Sequence, residues 1–564
     1  MDDPLVATNG ILAPATSGKS GQSRLGREGL ACAALTGVAA LLLITLGPAP
    51  GDAAVHLYRT FLVHQGALVS DNFWYAGNYP LASYSLLYYL PAALVGNLPL
   101  VLGAAVLSTL LFASIARREW GDAAIWPSRA FGICAAAPLF TGLYSYAVGF
   151  ALALGAVRAL QAKRVVLAVV LAALTLGIST LAFAFLCLLL LAGAAARRHL
   201  SASSIGVATA LAVLAGLELV VLRLFPGGGI YPFHAIDLAG ILGVSTVGAL
   251  LARHARNGGV ITAFFVLWGA GAILVSLVPS PIGGNWTRLN EFVFPLMLLT
   301  ASLARFQPRR LAMLALAGAF AYNVVPYLLL IPYRLDNRPA AVGYWQPALQ
   351  FLRHHSQPGF RVEVVPTAAH WESYWVPRAG FALARGWYRQ LDELDNPTLY
   401  SKQLDANAYR RWLRSTAVEY VLLPSTRLDP VGAPREATLL RSPSSGLVVA
   451  FRSPNWTIYR LPRATSLLTG PGRTRILTFG HTTISGTVST PGAYLLRAHY
   501  IPYWKVSGNV CVRPAPGGMT WLEVRAAKRF SLTVEEAGAA LLSAATGTVT
   551  CNADLRRRAS AAHG

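Results

Sequence analysis

Apolar runs near 20 residues recur along the first 330 positions, separated by short polar stretches that hold most of the charge. A helix of about 20 residues spans a hydrocarbon core of about 30 Å, so the pattern predicts a polytopic α-helical membrane protein. Spans fall near 29–47, 128–141, 142–161, 165–179, 180–196, 204–223, 238–252, 259–278, 287–304 and 310–332. Ser83–Val95 and Leu98–Ala116 read as a hairpin-like pair or one long broken helix, interrupted at Gly96-Asn97-Leu98-Pro99. Together these give about 11 crossings. After residue 333 the runs shorten and begin to alternate, as strands do. Section 333–465 reads as α/β, with helices at Trp345–His354 and Ala406–Arg414 and strands at Arg361–Pro366, Val418–Leu423, Leu447–Phe451 and Thr457–Leu461. Section 466–552 reads as a β-sandwich built from RILTF, TISGTVS, AYLLRAHY, VSGNVCVR, TWLEVRA and RFSLTVEE. Polar residues 1–28 read as a disordered cytoplasmic tail and 553–564 as a flexible one. Gly29–Leu46 lacks an A-x-A site at its end and reads as a retained span.

Composition sharpens this picture. Of 564 residues 54% are hydrophobic and 13% charged, about half the charged share of an average soluble domain. The net charge of +23 does not point to nucleic acid, because many basic residues sit at span ends, where they fix topology and meet anionic headgroups. One set of short loops holds Lys19, Arg24, Arg27, Arg117, Arg118, Arg129, Lys163, Arg164, Arg197, Arg198, Arg253, Arg256, Arg305, Arg309 and Arg310; the other holds Arg59, Arg223 and Arg288. The bias predicts a cytoplasmic N-terminus in a bacterial plasma membrane. An odd number of crossings then places 48–82, 224–237, 279–286 and everything after 333 outside. Cys32, Cys134 and Cys187 lie in apolar runs and read as packing residues. Cys511 and Cys551 are the two cysteines of the soluble part, where a disulfide is open but unproven by spacing. No Cys/His spacing of the metal-binding kind is present.

The first polar stretch after the first run is GDAAVHLYRTFLVHQGALVSDNFWYAGNYP, residues 51–80. Its start, GDAAVHLYR, places an acidic residue just after span 1. With the span pattern, the external C-terminal domain and the late hairpin AHYIPYWKVSGNVCVRP, it resembles the GT-C superfamily of polyprenyl-phosphate-sugar-dependent glycosyltransferases. GDAAVHLYR together with ARGWYRQLDELDNPTLY is more closely similar to actinobacterial membrane proteins catalogued as "6-pyruvoyl-tetrahydropterin synthase-related", although the His-rich zinc site of a pterin enzyme is missing. The resemblance implies a GT-C-like fold, a polyprenyl-phosphate sugar donor and a cell-envelope acceptor. It also implies that Asp52 is the base taking the acceptor's proton. The alternatives are a non-catalytic relative that binds lipid-linked glycan or scaffolds envelope assembly and, more remotely, a transporter.

On a helix, Asp52, His56 and Arg59 share one face, which suits a base, its proton-sharing partner and a phosphate contact; a loop carboxylate, an N-cap or a surface network fits the same spacing. Asp71 is a second carboxylate candidate, for acceptor or divalent ion, and Asn78 a pocket candidate. No cofactor is required on this reading, and a divalent cation is open. Arg288, in GGNWTRLNEFVFP, is the phosphate-binding candidate near a span end, with Asn290 and Glu291 beside it; an Arg288–Glu291 pair or an interfacial anchor is the plainer reading. His234 and Asp237, in FPGGGIYPFHAID, are further pocket candidates. His370, Trp371, Trp375, Arg385 and Trp387 combine aromatic faces with polar partners and suit either an acceptor sugar or a headgroup layer.

Overall fold

The apolar runs fold as helices almost where the pattern places them. The computed structural model describes residues 19–196, 201–225, 227, 229–255, 257–334, 336, 338–526, 529–534, 537–546 and 550–551. The tail expected at 553–564, and residues 1–18 of the N-terminal one, lie outside the described residues; the first helix, Lys19–Leu46, begins before residue 29. By its contacts the chain forms two compact units. One comprises Met1–Gly51, Tyr84–Val220 and Ile230–Pro332, the other Asp52–Ser83, Val221–Gly229 and Tyr333–Gly564.

The first unit is helical and membrane-embedded. Among the described residues, 6 helical stretches are long and apolar enough to cross a membrane: Gly26–Leu46, Asn97–Thr141, Ala202–Leu224, Ala235–Ala252, Gly259–Leu277 and Arg309–Ile331. The expectation of about 11 crossings is therefore corrected, and the reason is length. Val165–Ile178 has 14 residues, Thr180–Ala195 has 16 and Val293–Leu303 has 11, too few at about 1.5 Å per residue for a core of about 30 Å, and the runs expected at 98–116 and 128–141 join in the one stretch Asn97–Thr141. Tyr144–Gln161 has 18 residues, but Tyr144, Ser145, Tyr146, Arg158 and Gln161 dilute its apolar character. The break expected before Pro99 is present: Tyr89–Val95 stops at Gly96, whose φ of 89° only glycine adopts freely, and Asn97–Trp120 follows.

Small residues bring these helices together, as membrane interiors require. A Cβ on Gly132 would stand 2.8 Å from the Cys32 carbonyl oxygen, and Thr36 and Thr109 share a 2.8 Å hydrogen bond. Phe131 stacks on Phe112 and Phe292 with centroids 4.1 and 4.8 Å apart. One buried polar side chain ties two elements: Asn323, 6% exposed, donates from Nδ2 to the carbonyls of Asn290 and Glu291 at 2.8 Å each, and its Oδ1 accepts from the Phe294 N–H at 2.5 Å.

The second unit holds three sheets. β1 (Arg361–Val364), β2 (Val418–Pro424), β3 (Val448–Arg452) and β4 (Trp456–Arg460) form a sheet of order β1-β2-β4-β3. β1 and β2 are parallel, the remaining pairs antiparallel. β2 is buried along its whole length, Glu419 included, and the helices Ala406–Ser415 and Ala433–Arg441 pack on it through Tyr409, Trp412, Leu413 and Leu440. Then come β5 (Leu468–Thr469), β6 (Thr474–Phe479), β7 (Thr483–Val488), β8 (Gly492–His499), β9 (Trp504–Ser507), β10 (Val510–Pro514), β11 (Met519–Val524), β12 (Arg529–Val534) and β13 (Thr550–Cys551). They make two sheets, β13-β10-β11-β8-β5 and β6-β7-β12-β9, which share one core around Tyr494, Leu496, Trp504, Leu522, Phe530 and Leu532. This is the expected sandwich, with the helix Ala537–Thr546 added. Cys511 is disulfide-bonded, and Cys551 is its direct partner in the β10–β13 register.

Replacing Asn323 by Leu should leave two carbonyls and one N–H without their partner in an apolar interior, a loss of about 3 kcal/mol. A clear fall in the melting temperature of the detergent-solubilised protein checks this; an unchanged value would show that the Asn323 bonds carry no stability.

Candidate functional site

The opening polar segment is part of the second unit, and its charged residues point inward. Asp52 occupies the N-cap position of the helix Ala53–His64, yet its side chain makes no capping bond; it is half-buried. His56 is fully buried and Arg59 is 3% exposed, so the face carrying both is a packing face. Arg59 Nη1 donates to the Tyr388 hydroxyl at 3.1 Å and, more closely, to the Ser83 carbonyl. Its Nη2 donates to the Leu81 carbonyl at 2.8 Å, and the guanidinium lies over the Tyr79 ring, 5.4 Å from its centroid. Both terminal nitrogens are thus engaged by protein oxygens. Burial pushes the Tyr388 hydroxyl up, Arg59 pulls it down, and the Asp52 charge adds to the upward push, so Asp52, Arg59 and Tyr388 share one electrostatic neighbourhood.

Asp71 is fully buried. Its Oδ2 accepts from the Tyr58 hydroxyl at 2.7 Å, and its Oδ1 accepts from the Phe73 N–H at 3.2 Å and faces His481 Nδ1 at 2.8 Å. Burial and the Asp71 charge push the Tyr58 hydroxyl well above its ordinary range. Asn72 secures the same turn: its N–H donates to the His481 carbonyl at 2.8 Å and its Nδ2 to the Gly480 carbonyl at 2.9 Å. His481, between β6 and β7, is a residue that sequence reasoning missed; a lone histidine in a hairpin turn carries no spacing signal. Asn78 donates to the Asp395 carboxylate at 3.0 and 3.3 Å.

The aromatic stretch 370–392 builds a buried ionic cluster rather than an open platform. Trp371 is 6% exposed, while Trp375 and Trp387 are half-buried. Arg385, itself buried, is shared by three carboxylates: Nη2 reaches Glu363 at 2.5 Å and Glu436 at 2.8 Å, and Nη1 reaches Asp392 at 3.4 Å. One guanidinium cannot neutralise three buried carboxylates. Accordingly burial drives Glu363 well above, and Asp392 above, the ordinary carboxylate range against the pull of Arg385. Beside them His370 stands between Asp429, 2.7 Å from Nε2, and Glu372, 3.1 Å from Nδ1. Burial opposes its charge, but the bonds to Asp429 and Glu372 prevail and hold it up at about 9. Arg389 also binds Asp429. A cavity between these groups has a volume of about 10 Å³, room for a single water. Glu363, Glu436, Asp395 and Asp429 were not singled out in the sequence, because they lie in separate segments that meet only in the fold.

The other candidates belong to the first unit. Arg288, Asn290 and Glu291 lie in a 3₁₀ stretch, Gly283–Phe292, before the helix Val293–Leu303. Asn290 Nδ2 donates to the Tyr322 hydroxyl at 2.9 Å. Glu291 is buried and Arg288 half-buried. His234 is exposed at the N-cap of Ala235–Ala252, with Asp237 in its first turn. Close approach holds this region together: a Cβ on Gly284 would lie 2.7 Å from the Pro232 carbonyl oxygen. Among the described residues no cluster of His, Cys, Asp or Glu is arranged to hold a metal ion.

Because its charged form is favoured in the fold, His370 contributes stability that is fully present below about pH 6.5 and is lost as pH rises through about 9. Thermal unfolding of the full chain across that window should show a loss of up to about 3 kcal/mol, and His370→Gln should flatten the slope; an equal slope in both proteins would remove His370 as its source. Compared with family models and with curated proteins, the sequence matches none of either.

Proposed function

We propose that this chain is a GT-C-type glycosyltransferase of the bacterial plasma membrane, moving a sugar from a polyprenyl-phosphate donor to an extracytoplasmic cell-envelope acceptor. One observation carries the reading: Asp52–Ser83, which follows the first candidate span, folds into one compact unit with Tyr333–Gly564. This supports placing the acidic residue after that span and the large C-terminal domain in one compartment. The distribution of Lys and Arg around the first span supports an outer location.

Transfer requires the acceptor hydroxyl oxygen to bond the anomeric carbon while the bond from that carbon to the phosphate oxygen breaks; a base removes the hydroxyl proton and the phosphate leaves with the electron pair. Asp52 suits the base. It is half-buried and lies at a helix start beside Arg59 and Tyr388. Arg288, in the first unit, is proposed separately as a contact for the donor lipid's phosphate. Arg59, held by Ser83, Leu81 and Tyr388, keeps the segment in place on this reading. A second reading, a non-catalytic protein that binds lipid-linked glycan, is favoured by the full burial of His56 and Asp71.

The test is transfer by the purified full chain from polyprenyl-phosphate sugars to envelope extracts, with bound lipid followed by native mass spectrometry. Asp52→Asn should lower turnover by about 100-fold or more at an unchanged melting temperature, and Arg288→Ala should weaken donor retention more than acceptor binding. Normal turnover in Asp52→Asn would remove it as the base. Retention of an intact lipid-linked glycan without turnover, in wild type and variant alike, would favour the binding protein.

A further inference from the structure

The second unit contains a larger cleft, lined by Asp395 and Trp412 among others. Its volume is about 230 Å³, many times the room one water needs and enough for one sugar ring. We infer that this cleft is a binding site for a single neutral sugar residue. It deepens the proposed function, and it rests on that reading only in taking the sugar to be part of the acceptor.

Three features point to that ligand class. The first is charge. In a chain of net charge +23, no Lys or Arg is among the described residues lining the cleft, and Asp395 is its one acid. A phosphate, a carboxylate or a phospholipid headgroup would find no cation there. The second is the mixture of surfaces. Leu394 and Met519 offer apolar contact, while Asp395, Asn396, Ser415 and His499 offer hydrogen bonds, the combination that the C–H faces and hydroxyls of a sugar need. Burial, with the Arg361 charge in support, lowers His499 to about 4, so its ring is neutral at pH 7 and can both accept and donate. Burial raises Asp395 to about 6 against the Asn78 bond, leaving it an acceptor at neutral pH.

The third is construction. Tyr75 and Ala76, which line the cleft, are consecutive non-glycine residues with φ of 47° and 55°, a backbone that persists only where its surroundings hold it. Here the Tyr75 hydroxyl donates to the Tyr388 carbonyl at 2.9 Å. Gly386 admits the ring, since a Cβ there would lie 2.3 Å from it. Gly518, next to the lining residue Gly517 and with φ of 74°, passes His499 so closely that its Cβ would stand 3.0 Å from Nδ1. Asn396 is fixed by Trp412, whose Nε1 donates to its Oδ1 at 2.8 Å.

The experiment is saturation-transfer NMR on the full chain in detergent. The probes are methyl α-D-mannopyranoside, methyl β-D-galactopyranoside and methyl α-D-arabinofuranoside, with glucuronate and inorganic phosphate as charged counterparts. At least one neutral glycoside should give saturation transfer and the anions none. Ser415 is exposed, so Ser415→Trp should fill the cleft and abolish the signal at an unchanged melting temperature, and Asp395→Asn should weaken it at least tenfold. Absence of signal from all three glycosides, survival of the signal in Ser415→Trp, or equal binding of the anions would overturn the assignment. The readout needs no turnover, so binding without transfer would count against the proposed enzyme and not against the cleft. If transfer occurs, Ser415→Trp should raise the acceptor KM and leave donor retention unchanged; an unchanged KM would sever the cleft from the acceptor.

Discussion

A buried carboxylate has to be paid for locally, and Asp71 is where the second unit meets that demand. The group is fully enclosed, a state that would be costly without partners. Three donors supply them: the Tyr58 hydroxyl from the first helix of the segment, the Phe73 N–H beside it, and the His481 ring from the sandwich. The Phe61 and Phe73 rings flank that imidazole, with centroids 5.7 and 4.2 Å away. Because these partners come from both ends of the chain, residues 52–83 cannot take this form without the C-terminal domain. That dependence makes the loop after the first span part of a folded body.

The same unit handles its other buried charges differently. Around Arg385 acids outnumber the cation, and burial lifts Glu363 and Asp392 toward their protonated forms. Around Asp429 the cations His370 and Arg389 converge on one carboxylate, which they hold below its ordinary range against the effect of burial. The two groups are neighbours along one polar seam, so protons and charges there are distributed by packing geometry rather than by residue type. The 230 Å³ cleft borders that balance: its Asn396 donates to Asp392 at 2.8 Å, and the Asp392 charge adds to the upward push on Asp395.

Much of the helical and strand layout was legible because periodicity reports local geometry. The break at Gly96, the helix beginning at Ala406 and strands β6, β7, β8, β11 and β12 fall where apolar spacing places them, whereas the run VSGNVCVR divides between β9 and β10, which belong to different sheets. The number of crossings was not legible, since an apolar run signals burial but not length: Val165–Ile178 is fully apolar in character and still only 14 residues long. Of the site, Asp52, Arg59, Asp71, Arg385 and His370 could be picked out from neighbours in sequence. Their partners His481, Tyr388, Glu363, Glu436 and Asp429 could not, because each contact joins distant segments. The aromatic stretch from His370 to Trp387 shows the complementary limit, for the same residues can build a sugar platform or an interior, and here Trp371 and Tyr374 are interior.

The bond between Asp71 and His481 spans 410 positions, which has a consequence for synthesis. At about 5–20 residues per second a ribosome needs roughly 20–80 s to travel between them. For that interval the segment after the first span has left the ribosome while the histidine that completes it does not yet exist. The loop's final form is therefore a late event in the life of each nascent chain, and the turn between β6 and β7 acts as the clasp that ends the wait.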